Sequence, residues 1–211
     1  MGAITLKAVA GAIAFLVLGN LAILAASVWA RETTPKAHPA EIAGIDNLVA
    51  VDDKVWRGAA PTSEGYAGLA NAGVRTVVDL RAEEGIEHDF QAVRDLGMNL
   101  VHIPIRDGQT PSITEINALL TAVKASDGTV FVHCGAGVGR TGAMVGAYQV
   151  AMGELSGADA LRRNLAVGPP SLEQILFVGR MDEDRLEKPG AILTAVSRVL
   201  DAPRRIWSRV G

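Results

Sequence analysis

The chain has 211 residues, a formal net charge of −3 at pH 7, and 49% hydrophobic but only 4% aromatic residues. That length suits one domain with appendages and a mainly aliphatic core, and the acidic balance argues against a nucleic-acid binder. A single cysteine excludes an internal disulfide and a cysteine-rich zinc site; His38, His88 and His102 lack metal-ligand spacing, so neither metal nor cofactor is expected.

In chain order, the first feature is Ala8 to Ala30, a stretch of 23 residues without a charge, whose polar content is Asn20 and Ser27. It is long enough to cross a bilayer as a helix, and Trp29 stands where an interfacial aromatic would sit. Residues 1–31 are therefore expected to form an uncleaved, single-pass membrane anchor. The rival is a secretory signal cleaved near Val28-Trp29-Ala30, which would leave a secreted protein. Lys7 and the amino terminus before the span nearly balance Arg31 and Lys36 after it, so the side of the membrane stays open. Residues 32–44, with Pro35 and Pro39, read as a linker.

From residue 45 the pattern alternates between strand-like and helix-like segments, which predicts an α/β layer architecture. Strands are expected at Leu48–Val51, Lys54–Arg57, Arg75–Leu80, Leu100–Ile105 and Thr129–His133. Helices are expected at Ser63–Ala72, Glu84–Leu96, Ile113–Ala125, Thr141–Met152, Gly157–Leu165 and Leu172–Arg185. Gly73 and Gly97 suit left-handed helix ends, Ser112 or Thr114 an N-cap, and Ser171 another after Pro170. Residues 45–187 are taken as the main domain and 188–211 as a basic amphipathic extension. In that extension Ile192, Val196, Val199, Ile206 and Trp207 form an apolar stripe beside Arg198, Arg204, Arg205 and Arg209. Such a segment can lie on an anionic membrane or pack on the domain, and Pro203 should split it into two helices.

The most informative ten residues are His133-Cys134-Gly135-Ala136-Gly137-Val138-Gly139-Arg140-Thr141-Gly142, between an apolar run and a helix-like segment. A cysteine at a helix N-terminus faces unpaired N–H groups and the positive dipole end, which favour the nucleophilic thiolate. The N–H groups from Gly135 to Arg140 can hold the non-bridging oxygens of a phosphate. Gly135, Gly137 and Gly139 are expected to supply positive φ angles. Arg140 offers a planar fork for two oxygens, and the Thr141 hydroxyl can donate to the sulfur as it departs. Three rivals fit parts of the loop. Gly137-x-Gly139-x-x-Gly142 resembles a dinucleotide fingerprint, although the next segment is helical; the loop also approaches a P-loop with Cys134 and Arg140 in the wrong places. A rhodanese-like sulfurtransferase would cradle a thiolate in the same way.

These residues resemble the signature of the protein tyrosine and dual-specificity phosphatase superfamily, bacterial-type. The resemblance extends through Val55-Trp56-Arg57-Gly58, Val74 to Arg81 and His102-Ile103-Pro104-Ile105, covering roughly residues 45–180. It implies a central, mostly parallel sheet of about five strands flanked by helices, and hydrolysis through a phosphocysteine on Cys134. It further implies that Asp107, on a loop able to move after the fourth strand, is the general acid, with Asp79 and Glu83 as rivals. His133 would help hold the thiolate, and Gln174 would orient water, although a solvent-facing glutamine is the plainer reading. Asp79 is expected to brace the sheet near Arg81. Relatives that take inositol phosphates often carry lysines where Gly135 and Val138 stand. Phosphotyrosine or phosphoserine/threonine in proteins is therefore the expected substrate, with Arg81 and Arg106 able to add charge at the rim. A membrane phosphoinositide is the alternative, and a non-catalytic phosphate-binding module is another, although its usual mark, a lost cysteine or arginine, is absent.

Overall fold

Five short apolar runs make one sheet in the computed structural model, which describes residues 2–35, 41–181 and 190–210. In chain order they are β1 (Val49–Ala50), β2 (Val55–Gly58), β3 (Val74–Arg81), β4 (Asn99–Ile105) and β5 (Thr129–His133), arranged β1-β2-β5-β3-β4. Only β1 runs antiparallel to its neighbour; β2, β5, β3 and β4 are parallel. The expected mostly parallel five-strand sheet is thus present, with the first strand cut to two residues.

Strand β5 lies in the middle, and Val130, Phe131 and Val132 are fully buried. A strand covered on both faces must be apolar throughout rather than alternating. One face carries α4 (Ile113–Ala125), α5 (Gly139–Ala151), α6 (Gly157–Val167) and α7 (Leu172–Gly179), packed over Val78, Leu80, Val130 and Val132. The other face carries α2 (Ser63–Asn71) and α3 (Glu87–Asp95) against Val74, Val77 and Phe131. All four parallel strands therefore end along the same edge, at Gly58, His133, Arg81 and Ile105. Open α/β sheets bind ligands outside that edge.

Local signals account for most helix ends. Ser112 and Ser171 close capping boxes with Glu115 and Gln174, and Gly73 and Gly97 take φ of +91° and +72° after α2 and α3. Helix α3 starts at Glu87 rather than Glu84, because Gly85 at φ +80° interrupts the segment. Residues 182–185 of the last expected domain helix lie outside the described residues, as does His38.

Helix α1 (Gly2–Thr33) contains Val9–Thr33, which is long and apolar enough to cross a membrane, with mean hydropathy 2.3. Its C-terminal half is docked on the domain. Ser27 Oγ donates to Leu165 O at 2.7 Å, Arg31 donates to the Ala166 and Val167 carbonyls, and the Arg162 guanidinium sits 5.3 Å over the Trp29 ring. Asn20 Nδ2 reaches Leu200 O at 3.1 Å on α8 (Ala191–Val210). Both polar residues of the apolar run are thus spent on the protein itself.

The tail departs from expectation in two ways. Helix α8 continues through Pro203: a proline removes one donor, while the turns on either side keep theirs. Its docking face is Ser197, Leu200 and Asp201, with Ser197 Oγ accepting from Glu173 N at 2.9 Å. Ile192 and Val199, from the expected stripe, stay exposed. The side chains of Arg204, Arg205, Ile206, Trp207 and Arg209 lie outside the described residues.

Candidate active site

Strand β5 ends at His133 and α5 starts at Gly139, so Cys134 to Val138 form a tight loop at the strand-end edge, with Cys134 only 3% exposed. Three donors hold the loop from outside. Ala60 N–H donates to Gly135 O at 2.9 Å, Asn47 Nδ2 to Ala136 O at 3.0 Å, and Arg57 Nη2 to Gly137 O at 2.7 Å. With three successive carbonyls engaged from outside, the loop is able to turn its N–H groups inward on an anion.

The glycines serve different purposes from those expected. Only Gly137 has positive φ, at +71°, and a Cβ there would also overlap the Gly58 backbone. Gly139 is needed because a Cβ would lie 2.6 Å from Gln174 Oε1, and at Gly142 a Cβ would meet the Asn164 side chain. Gly135 has room for a Cβ, whose nearest neighbour would be Arg140 Nη2 at 3.8 Å. Gly135 and Ala136 are exposed at the mouth, while Val138 packs on Gly168.

Arg140 is 4% exposed and is gripped from one side: Nη1 donates to Glu83 Oε2 at 2.8 Å and to Ile105 O at 3.2 Å. Its Nε lies 3.5 Å from Asp107 Oδ1. Burial works against the Arg140 charge, but Glu83, the Cys134 sulfur and Asp107 more than offset it and hold its pKa above the ordinary value. Glu83, weighed from sequence only as a rival acid, is the residue that aims this guanidinium. Burial raises the Glu83 carboxyl and Arg140 lowers it further, so the net direction is down.

A second guanidinium lies behind the loop. Arg57, quoted in the sequence only as part of a resemblance, is buried; besides Gly137 O it donates to Asn164 Oδ1 at 3.1 Å. Burial lowers its pKa to about 10, with Cys134 pulling the other way. Two cations therefore act on the Cys134 sulfur through their charge, Arg140 and Arg57, the latter also supporting the loop carbonyls. Nothing short-range in the sequence marks Arg57, whose partners are 80 and 107 residues away.

His133 does not touch the sulfur. Its Nδ1 lies 3.2 Å from Cys134 O and its Nε2 3.8 Å from Asp79 Oδ2, with the ring stacked on Phe131. Asp79 does brace the sheet: it pairs with Arg81 at 2.7 Å, and Arg81 also reaches Asp89. Arg81 is consequently committed in the interior and adds no charge at the rim, contrary to expectation. Burial would raise the Asp79 carboxyl, but Arg81 and His133 bring it below its ordinary 3.8, while burial lowers His133 below 6.5 against the pull of Asp79. In both groups the unfolded chain takes the proton first, so their stabilisation is complete above those ordinary values and is lost as pH falls through the folded ones. The unfolding free energy of the full chain in detergent should decline below about pH 6.5, by at most about 1.4 kcal/mol per pH unit from His133. His133→Gln should flatten that limb down to about pH 5; an unaltered limb would contradict the assignment.

Asp107 stands in the turn after β4, before Gly108 at φ +77°. Its side chain is 60% exposed. The segment expected to be a movable loop is tied down at three points: Ser171 Oγ donates to Gly108 O, Gln174 Nε2 to Gln109 O, both at 2.9 Å, and Thr110 Oγ1 to Glu173 Oε1 at 3.4 Å. Gln174 is 1% exposed, and its Oε1 accepts from Ser171 N at 3.0 Å, so it is neither solvent-facing nor left with a free amide end for water. It joins the Asp107 segment to the signature loop instead. Thr141 is buried in the first turn of α5, and its Oγ1 makes no hydrogen bond among the described residues. Among those residues no group of three His, Cys, Asp or Glu side chains could hold a metal.

Residues 42–179 match the family model described as DSP-PTPase phosphatase fused to NAD+ kinase. The chain belongs to this DSP-PTPase family. This places it in the dual-specificity and protein-tyrosine phosphatase superfamily and goes against the sulfurtransferase and nucleotide-binding readings of the loop. Among curated relatives, chloroplastic NAD kinase 2 of Arabidopsis thaliana is 34% identical over 100 residues, covering 44% of this chain and 10% of the plant protein. The chain thus spans a small fraction of that relative's length. Among solved structures, the core catalytic domain of the PP-IP phosphatase SIW14 from S. cerevisiae aligns with TM-score 0.57 at 17% identity, over 79% of this chain and 97% of that one. P. aeruginosa TpbA in complex with pTyr aligns with TM-score 0.52 at 19% identity, over 80% and 97%. At these identities the DSP-PTPase likeness to both structures is one of fold.

Proposed function

We propose that the protein is a membrane-anchored phosphatase that hydrolyses phosphomonoesters on proteins, phosphotyrosine and/or phosphoserine/threonine, through a phosphocysteine. The observation that carries the reading is Cys134 in a loop whose Gly135, Ala136 and Gly137 carbonyls are held from outside, with Arg140 fixed beside it by Glu83. The Cys134 thiolate attacks phosphorus as the ester P–O bond breaks, and Asp107 gives its proton to the departing oxygen. Water then attacks the phosphocysteine, returning a proton to Asp107 as the S–P bond breaks and phosphate leaves. The amides of Gly135 to Arg140 and the Arg140 fork hold the three oxygens, and their charge stabilisation grows in the transition state.

Substrate choice follows from charge at the mouth. Gly135, Ala136 and Val138 bring none, and Arg81 is consumed by Asp79 and Asp89, which leaves Arg106. One phosphate is suited to this site better than a polyphosphorylated ring. The apolar α1, with Ile13, Leu18 and Leu24 half exposed or more, supports attachment to a bilayer and keeps a phosphoinositide as the second reading. The full chain in detergent should show kcat/KM at least about tenfold higher for phosphotyrosine or phosphoserine peptides than for a short-chain phosphoinositide, since one misfitted charged group costs at least that factor. The reverse order would transfer the assignment to lipid.

A further inference from the structure

Behind the signature loop, on the side away from Cys134, lies a cavity of about 470 Å3. It opens where the C-terminal turn of α1 meets β1 and the ends of α5 and α6. Among the described residues Arg31, Arg57 and Arg163 line it, and no Asp or Glu does. The rest of its wall is largely aliphatic, including Val51, Val145 and Val167. We propose that this cavity is a binding site for a small anionic amphiphile, a single carboxylate or phosphate head on an aliphatic body, held by Arg57 and Arg163.

The cations are only partly satisfied by the protein. Arg31 spends Nε and Nη2 on the Ala166 and Val167 carbonyls, and the charge of Arg163 is felt by Glu154. Arg57 is 4% exposed, and although its Nη2 is well bonded, its Nε has no hydrogen-bond partner among the described residues. A buried guanidinium with an unmet N–H is costly, and an anionic head in the adjoining cavity offsets part of that cost through its charge. An apolar chamber with a few convergent polar groups is the usual form of a small-molecule site, and its volume lies within the range for such sites. The site is separate from the catalytic cradle but shares a wall with it. Asn47 and Arg57, both lining the cavity, are the residues that hold the Ala136 and Gly137 carbonyls.

The ligand can come from solution or, through the foot of α1, from a lipid phosphate head. Both sources can be tested on the full chain with the catalytic loop saturated by vanadate. In detergent, calorimetric titration with octanoate should show one site per chain, weakened at least tenfold by Arg163→Ala, an exposed position whose truncation spares the core. In nanodiscs, phosphatidate should raise Tm relative to phosphatidylcholine in the wild type but not in Arg163→Ala. A response to octanoate alone assigns a soluble acid, to phosphatidate alone a lipid head, and to both the shared chemistry. Binding of neither probe, or binding that Arg163→Ala leaves unchanged, would overturn the proposal.

Discussion

Cys134→Ser is expected to lower turnover of a phosphotyrosine peptide by about 10⁴-fold or more, the scale seen when a catalytic nucleophile is removed. It should leave peptide binding intact. The two expectations separate because the loop is shaped by groups other than the sulfur. Ala60, Asn47 and Arg57 hold its carbonyls, and Glu83 with Ile105 O holds Arg140. An oxygen in place of sulfur keeps that frame but is a far weaker nucleophile beside the same cations. Single-turnover kinetics would give the rate, and calorimetry with the phosphopeptide the affinity. Activity within tenfold of wild type would remove Cys134 from the chemistry, and the covalent intermediate with it.

The parts of this arrangement that were legible in the sequence are the local ones. A continuous apolar run at Thr129 to Val132, three glycines and a following helix announce a strand, a tight loop and a helix start, and β5, the cradle and α5 follow. Ser112 and Ser171 were readable as caps because a cap and its partner stand three residues apart. What was not legible depends on chain segments that meet only in the fold. Arg57 looks like one more strand residue until Gly137 and Asn164 come to it. Gln174 looks like a helix-surface amide until the Asp107 segment lies across it. The three loop glycines read as one device, yet Gly137 answers a backbone angle and Gly139 a neighbouring side chain. Hydrophobicity marked α1 correctly as an apolar helix, but hydropathy carries no information on which polar residue has a partner. Ser27 and Asn20 find theirs on α6 and α8.

The two carboxylates beside Arg140 should behave differently when neutralised. Glu83 is held below the ordinary carboxylate range by the guanidinium it grips at 2.8 Å, so near neutral pH it is an acceptor and a poor proton source. Asp107 stands farther off, at 3.5 Å from Nε, on the turn that faces the mouth. Asp107→Asn should therefore slow hydrolysis of phenyl phosphate by about 10²- to 10⁴-fold, the usual contribution of a positioned acid. The same variant should slow p-nitrophenyl phosphate far less, because that leaving oxygen departs without a proton. Glu83→Gln keeps one acceptor for Arg140 but loses the charge that fixes its fork, so about a tenfold loss in kcat/KM is expected, equal for both esters. The decisive quantity is the ratio of the two esters' rates, since a merely disordered Arg140 slows both alike. If the ratio changes in Glu83→Gln and not in Asp107→Asn, the acid is Glu83, and the turn after β4 serves only to close the site.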